Sequence, residues 1–229
     1  MSSSLRRPAI HVAGFLLFVL ALFLVPGARA QGYKVEQAGA PAPQELSAAV
    51  RAVLGDQELR VSGLGGLICE IWLRKTVPAK APGQDLGVVY PQLDEGTLVA
   101  AVKFASTLKD YRKQEVHAGV YTLRYALSPV NGNHQGVAPQ RDFLLAIPAA
   151  ADQDPATLTE AQTIELSRKS TTTNHPSVWC LMPGEGDASA SPAISHDTSD
   201  DFWIVNFTVP LGSAPTRIGL VVNGTAPEA

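Results

Sequence analysis

Val120-Tyr121-Thr122-Leu123-Arg124-Tyr125-Ala126-Leu127-Ser128 alternates two sets of side chains, and that period of two decides the fold class. Tyr121, Leu123, Tyr125 and Leu127 fall on one face, while Thr122, Arg124 and Ala126 fall on the other. Successive residues of a pleated strand point to opposite sides, so the stretch predicts a strand with one strongly apolar face.

The same period recurs on both sides of it. Upstream, Leu67, Cys69, Ile71 and Leu73 alternate with Glu70, Trp72 and Arg74, and Leu98, Ala100, Val102 and Phe104 line one face of residues 97–105. Downstream, Phe143, Leu145 and Ile147 follow a long turn. Trp203, Val205, Phe207 and Val209 then alternate with Ile204, Asn206 and Thr208, and Ile218, Leu220 and Val222 make a last strand. Shorter runs at 59–62, 87–90 and 177–182 add three more candidates. Two helices are expected. One spans 43–54, with Leu46, Val50, Val53 and Leu54 near one face and Gly55 at its end. The other spans 158–168, with Thr157 as N-cap and Glu160 three residues on, the spacing of a capping box. Eight or nine short strands punctuated by glycine and proline favour an all-β fold, an antiparallel β-sandwich of jelly-roll or Ig-like type. A parallel sheet would need a helix in nearly every connection.

The amino terminus reads as an export signal. Arg6 and Arg7 precede an apolar run over 12–25, Pro26-Gly27 breaks it, and Ala28-Arg29-Ala30 offers small residues for cleavage. The run is shorter than the roughly twenty residues of a spanning helix. The expected organisation is a signal peptide over 1–30, a tether and short helix over 31–56, and one β-sandwich domain over 57–229. A periplasmic or secreted location follows, with no membrane span after cleavage. Cleavage removes three arginines and no acids, so 18 basic residues fall to 15 against 21 acidic ones, a net charge of −6. That balance, without a basic stripe, argues against nucleic acid as a partner.

Cys69 and Cys180 are the two cysteines. In an oxidising compartment they would form a disulfide closing a long loop; the alternative is a pair of buried thiols.

The most distinctive segment runs from the tyrosine-rich strand into Pro129, then Asn131-Gly132-Asn133-His134-Gln135-Gly136, and resumes at Arg141-Asp142-Phe143-Leu144-Leu145. Over 119–147, and more loosely over 166–176, it resembles a segment of uncharacterised secreted bacterial proteins of unknown function. The resemblance implies a bacterial, exported setting and assigns no activity. A connection longer than a tight hairpin is either irregular packing, with Asn131 and Asn133 simply making turns, or a place where function sits; the second reading makes Asn133, His134, Arg141 and Asp142 candidate ligand-binding residues. His175, in a second loop before a strand, and Arg124, charged in mid-strand, complete the set. Asp142 and Glu70 are the expected partners of Arg124. The spacing of His134, Asp142 and His175 matches no metal motif. The acidic group around Asp197, Asp200 and Asp201 lacks the alternating offsets of a calcium loop.

Neither a Gly-x-Ser-x-Gly elbow nor a His-Glu-x-x-His helix is present, and no cofactor motif occurs. The expectation is therefore a non-enzymatic exported protein that binds a small ligand or an envelope protein through strand-end loops. Two alternatives stand beside it: an extracytoplasmic hydrolase with His134 or His175 as base and Asp142 orienting it, and a structural envelope component.

Overall fold

The nine residues Gly119–Leu127, which include most of the deciding stretch, form a strand near the centre of one ten-stranded antiparallel sheet. The computed structural model describes residues 32–134, 136–187 and 190–226. The expected signal, residues 1–30, lies outside the described residues. In chain order the strands are β1 (Lys34–Ala38), β2 (Leu54–Gly63), β3 (Gly66–Arg74), β4 (Leu98–Phe104), β5 (Leu108–Lys109), β6 (Glu115–Val116), β7 (Gly119–Leu127), β8 (Asp142–Pro148), β9 (Ser177–Pro183), β10 (Ala193–Asp197), β11 (Phe202–Leu211) and β12 (Ala214–Asn223). Two short helices accompany them, α1 (Ala48–Val53) and α2 (Glu160–Ser167). No helix among the described residues is long and apolar enough to cross a membrane.

The order across the sheet is β1-β2-β3-β4-β7-β8-β9-β12-β11-β10, and β5 and β6 form a separate two-stranded ribbon. β9 joins two groups of strands: Ser177 to Cys180 pair with β8, and Leu181 to Pro183 pair with β12. The outer strands β1 and β10 approach each other, so the sheet nearly closes. The Tyr33 ring stacks on Trp203 at 4.6 Å, and His196 stacks on the same indole at 4.2 Å.

Alternation sorts each strand into two faces. Leu123 and Tyr125 of β7 join Ile71, Val102, Leu144, Trp179, Phe207 and Leu220 in the main core. Each such side chain contributes about 1.5–3 kcal/mol by leaving water. The other face carries two smaller apolar clusters. One packs Leu46 and Val50 of the α1 region against Trp72, Leu98 and Ala101. The second gathers Ala126, Phe143, Leu145, Val178 and Cys180 beneath Tyr111 and beside Phe202.

Arg124 emerges on that outer face and is fully buried. Its guanidinium clamps Asp152 bidentately, Nε to Oδ2 at 2.7 Å and Nη2 to Oδ1 at 2.8 Å. Nη1 donates to the carbonyls of Gly96 at 2.6 Å and Ala156 at 2.7 Å, and Nη2 donates also to the Asp154 carbonyl. An arginine has five N–H donors, and all five are engaged. Asp152 also accepts the Thr122 hydroxyl. The segment after β8 is thereby pinned over the sheet. Gly96, at φ +84°, meets it so closely that a β-carbon there would collide with the Leu158 carbonyl.

Several expectations are corrected. Residues 34–38, expected within a tether, form β1. Its side chains are largely exposed and its membership rests on the backbone ladder to β2, from Lys34–Ser62 to Ala38–Glu58, which hydrophobic periodicity does not register. Residues 87–90 are not a strand, because the Val89 and Tyr90 amides bond the Asp142 carboxylate instead of a neighbouring strand. The second helix starts later than expected and is capped by Thr159 with Gln162, not by Thr157 with Glu160. The loop expected over 184–201 contains β10.

The disulfide is corrected too. Both cysteines are free and buried. Cys69 belongs to the main core and Cys180 to the outer cluster. β4, β7 and β8 stand between their strands, which puts them roughly 19 Å apart along the sheet at about 4.8 Å per strand. A bridge needs Cα atoms within about 7 Å. Burial pushes both thiols up to about 12.

Two measurements check these points. Denatured without reductant, the protein should yield two titratable thiols, both slow to label in the native state. A mass showing a bridged pair would contradict the free thiols. Asp152→Asn should cost about 3–5 kcal/mol in denaturant unfolding, because it strands a buried cation. The double variant Arg124→Leu/Asp152→Leu should cost less than the two single leucine changes added together; strict additivity would mean the pair is not coupled.

Candidate functional site

A cavity of about 460 Å³ opens on the outer face of β7, β8 and β9. Ala126, Phe143, Leu145 and Val178 form its floor, one step along each strand from residues that fill the main core. The alternation that builds the core thus also supplies an apolar surface on the other side, and Ala126 is short enough to leave a hollow.

α2 makes one wall, presenting Thr163 and Ile164. It is held at both ends. A capping box of Thr159 and Gln162 fixes its start. At its far end the Ser167 and Ser170 hydroxyls each donate to the Ala146 carbonyl at 2.7 Å. Tyr111 faces it from the 110–114 turn, its backbone N–H donating to the Val178 carbonyl at 3.0 Å and its hydroxyl to the Val137 carbonyl at 3.1 Å. Its ring meets Phe143 and Phe202 edge-on, each at 5.8 Å. Asp110 ties the turn, accepting the Arg112, Gln114 and Val178 amides and the Gln114 side chain. Burial pushes its carboxyl above the usual range, against the pull of those four bonds.

The candidate residues divide sharply. His134 and His175 both line the cavity. His134 Nδ1 lies 2.7 Å from Asn131 Oδ1, and His175 Nδ1 donates to the Pro176 carbonyl at 2.9 Å. A carbonyl only accepts, so neutral His175 carries its proton on Nδ1 and offers Nε2 as an acceptor. Burial is the first cause holding its imidazole below the ordinary range; the Pro176 carbonyl opposes it, and Arg112 adds to it. Asn133 is exposed in the same loop and its amide bonds Asn131 Oδ1.

Arg141, Asp142 and Arg124 do not line the cavity. Arg141 donates to the Ser128 carbonyl at 3.1 Å and sits against Gly87. Asp142 is fully buried on the core side, taking Val89 N at 2.8 Å, Tyr90 N at 2.9 Å and the Tyr125 hydroxyl at 2.7 Å. Its hydrogen bonds anchor the chain before β4 and orient neither imidazole. The expected partners of Arg124, Asp142 and Glu70, are replaced by Asp152; Glu70 pairs with Arg60 at 3.2 Å. Among the described residues no group of three or more His, Cys, Asp and Glu side chains is placed to hold a metal ion.

No family model, no curated protein and no solved structure matches this chain. The resemblance over 119–147 therefore brings no assigned activity, and the cavity has to be read from its own chemistry.

Sequence reasoning missed Tyr111, Glu95 and Asp110. Asp110-Tyr111-Arg112-Lys113 carries a turn signal in its aspartate, whose side chain bonds backbone amides two and four residues on. Glu95 lines the cavity and accepts the Leu127 amide at 3.1 Å. Burial pushes its carboxyl above the usual range, Glu160 adds to the rise, and the Leu127 amide pulls against it.

His175 supplies a test. Its depressed folded pKa means that its contribution to stability is present above the unfolded value of about 6.5 and is lost as pH falls through the folded one. The raised carboxyls of Glu95 and Asp110 act in the opposite sense, so the comparison must be with His175→Gln. From about pH 6.5 downward, wild type should lose thermal stability relative to that variant. Parallel curves would show that the imidazole is not held neutral by the fold.

Proposed function

We propose that this chain is an exported bacterial β-sandwich protein, periplasmic or secreted, whose outer-face cavity binds a small ligand with an apolar body. The observation that carries this reading is the cavity itself: about 460 Å³, within the range of small-molecule sites of roughly 300–1,000 Å³, with an apolar floor and polar groups at its rim. The sandwich reading is supported by β9, which passes the ladder from one group of strands to the other as a corner strand does. Export is supported by the signal pattern of residues 1–30.

Binding is preferred to hydrolysis because Asp142 is buried among other partners, and the Nδ1 atoms of His134 and His175 are held by Asn131 and the Pro176 carbonyl rather than by a carboxylate. A purely structural envelope component would have no use for an open hollow over the sheet.

Val137 lines the hollow, and Val137→Trp fills it with an indole while keeping the backbone carbonyl that takes the Tyr111 hydroxyl. Anilinonaphthalene sulfonate should brighten on adding wild-type protein and should do so far less with the variant, at unchanged circular dichroism. No brightening with wild type, or equal brightening with both, would remove the cavity as the binding site.

A further inference from the structure

The two ends of the cavity carry opposite charge. Glu95 reaches the last residue of β7 through Leu127 N. The next residue, Gly96, accepts the Leu158 amide two positions before α2 begins at Glu160. Both carboxylates therefore stand at the start of α2. Arg168, which lines the cavity with Arg112 and Lys113, directly follows the last residue of α2 and pairs with Glu165 at 3.3 Å, a contact a carboxylate would share. His175 lies beside Pro176, whose carbonyl takes the Gln114 side chain at 3.0 Å and so brings the turn carrying Arg112 and Lys113 to this end. Eight residues of helix separate the ends, about 12 Å at 1.5 Å per residue.

We infer that the ligand is bipolar, with an ammonium at the Glu95–Glu160 end, a carboxylate at the Arg112–Arg168 end and an apolar body between, the chemistry of a short zwitterionic peptide with apolar side chains. Three or four extended residues at about 3.3 Å each span that distance. The apolar floor selects among alternatives. A fatty anion could satisfy the cationic end, yet its tail would lie against two carboxylates. A cationic amphiphile would meet the arginines with its tail, and a neutral apolar molecule would strip water from both ends without replacing it. Burial holds the Glu95 carboxyl above its usual range and Glu160 adds to the rise, against the pull of the Leu127 amide, Arg141 and Lys80; an ammonium would offset the repulsion between the two carboxylates. Arg112 and His175 repel one another in the protonated state, and a carboxylate relieves that too.

The inference rests on the binding reading above, and its test separates the two. Trileucine, N-acetyl-trileucine and trileucine amide are titrated calorimetrically into wild-type protein, Glu95→Gln and Arg112→Gln. Glu95→Gln keeps an acceptor for the Leu127 amide, and the Arg112 side chain is exposed, so both variants should fold. In wild type each block should weaken binding about tenfold or more, the worth of one charge-assisted contact. Glu95→Gln should erase the penalty of acetylation and keep that of amidation; Arg112→Gln should do the reverse. Blocked and free peptides binding equally, or both penalties surviving both substitutions, overturns the inference. Dye binding that is lost in Val137→Trp, with no binding of any peptide, overturns it while leaving the cavity reading intact. Silence from dye and peptides together removes both.

Discussion

A guanidinium sealed from water holds the outer layer of this protein to its sheet. Arg124 sits in the middle of a central strand, where an unpaired charge would be prohibitive, and the chain answers with a carboxylate and three carbonyls drawn from two connections. The segment after β8 cannot shift without breaking a bidentate contact in a low-dielectric setting. That segment leads into α2, so the same contact fixes the approach to the helix, whose far end is tied to β8 by Ser167 and Ser170. The cavity wall is thus held from its near side through Arg124 of β7 and from its far side through Ala146 of β8.

The second constraint is geometric. A nearly closed antiparallel sheet has one face committed to its core, and the residues between the core positions must be covered or solvated. Here α1 covers one stretch, while α2 and Tyr111 cover another only in part. What α2 and Tyr111 fail to fill, above the short side chain of Ala126, is the hollow. Both histidines line it, while Asp142, the acid that sequence spacing offers them, looks inward and takes two backbone amides and a tyrosine hydroxyl.

Period-two alternation made the all-β class legible, and apart from residues 87–90 the runs named from it are strands. What stayed hidden follows from what alternation cannot register. β1 contributes backbone ladder bonds with little apolar burial, so its residues resemble a tether. Residues 87–90 have the composition of a strand, yet their amides were claimed by Asp142 across more than fifty positions. The partner of Arg124 was equally remote from any local rule: Asp142 and Glu70 fit by charge, and only the path of the connection after β8 brings Asp152 into reach. Of the candidate site, the two histidines fell at the cavity because loops gather at strand ends, whereas Glu95 lies in an unmarked stretch and Tyr111 is marked only by the turn signal of Asp110. The cysteines illustrate the limit of face assignment. Each does lie on an apolar face, but the sheet has two such faces and the pair is divided between them.

The near-closure of the sheet has a mechanical consequence. β1 and β10 face each other across a line bridged by stacked rings rather than by a ladder. Any change in girth will be taken up along that seam, where no backbone bonds must break. The strands under the cavity occupy the opposite arc and are bonded to neighbours on both sides, so they act as a stiff bedplate. A change of spacing at the seam would leave that bedplate, and the cavity floor it carries, undeformed.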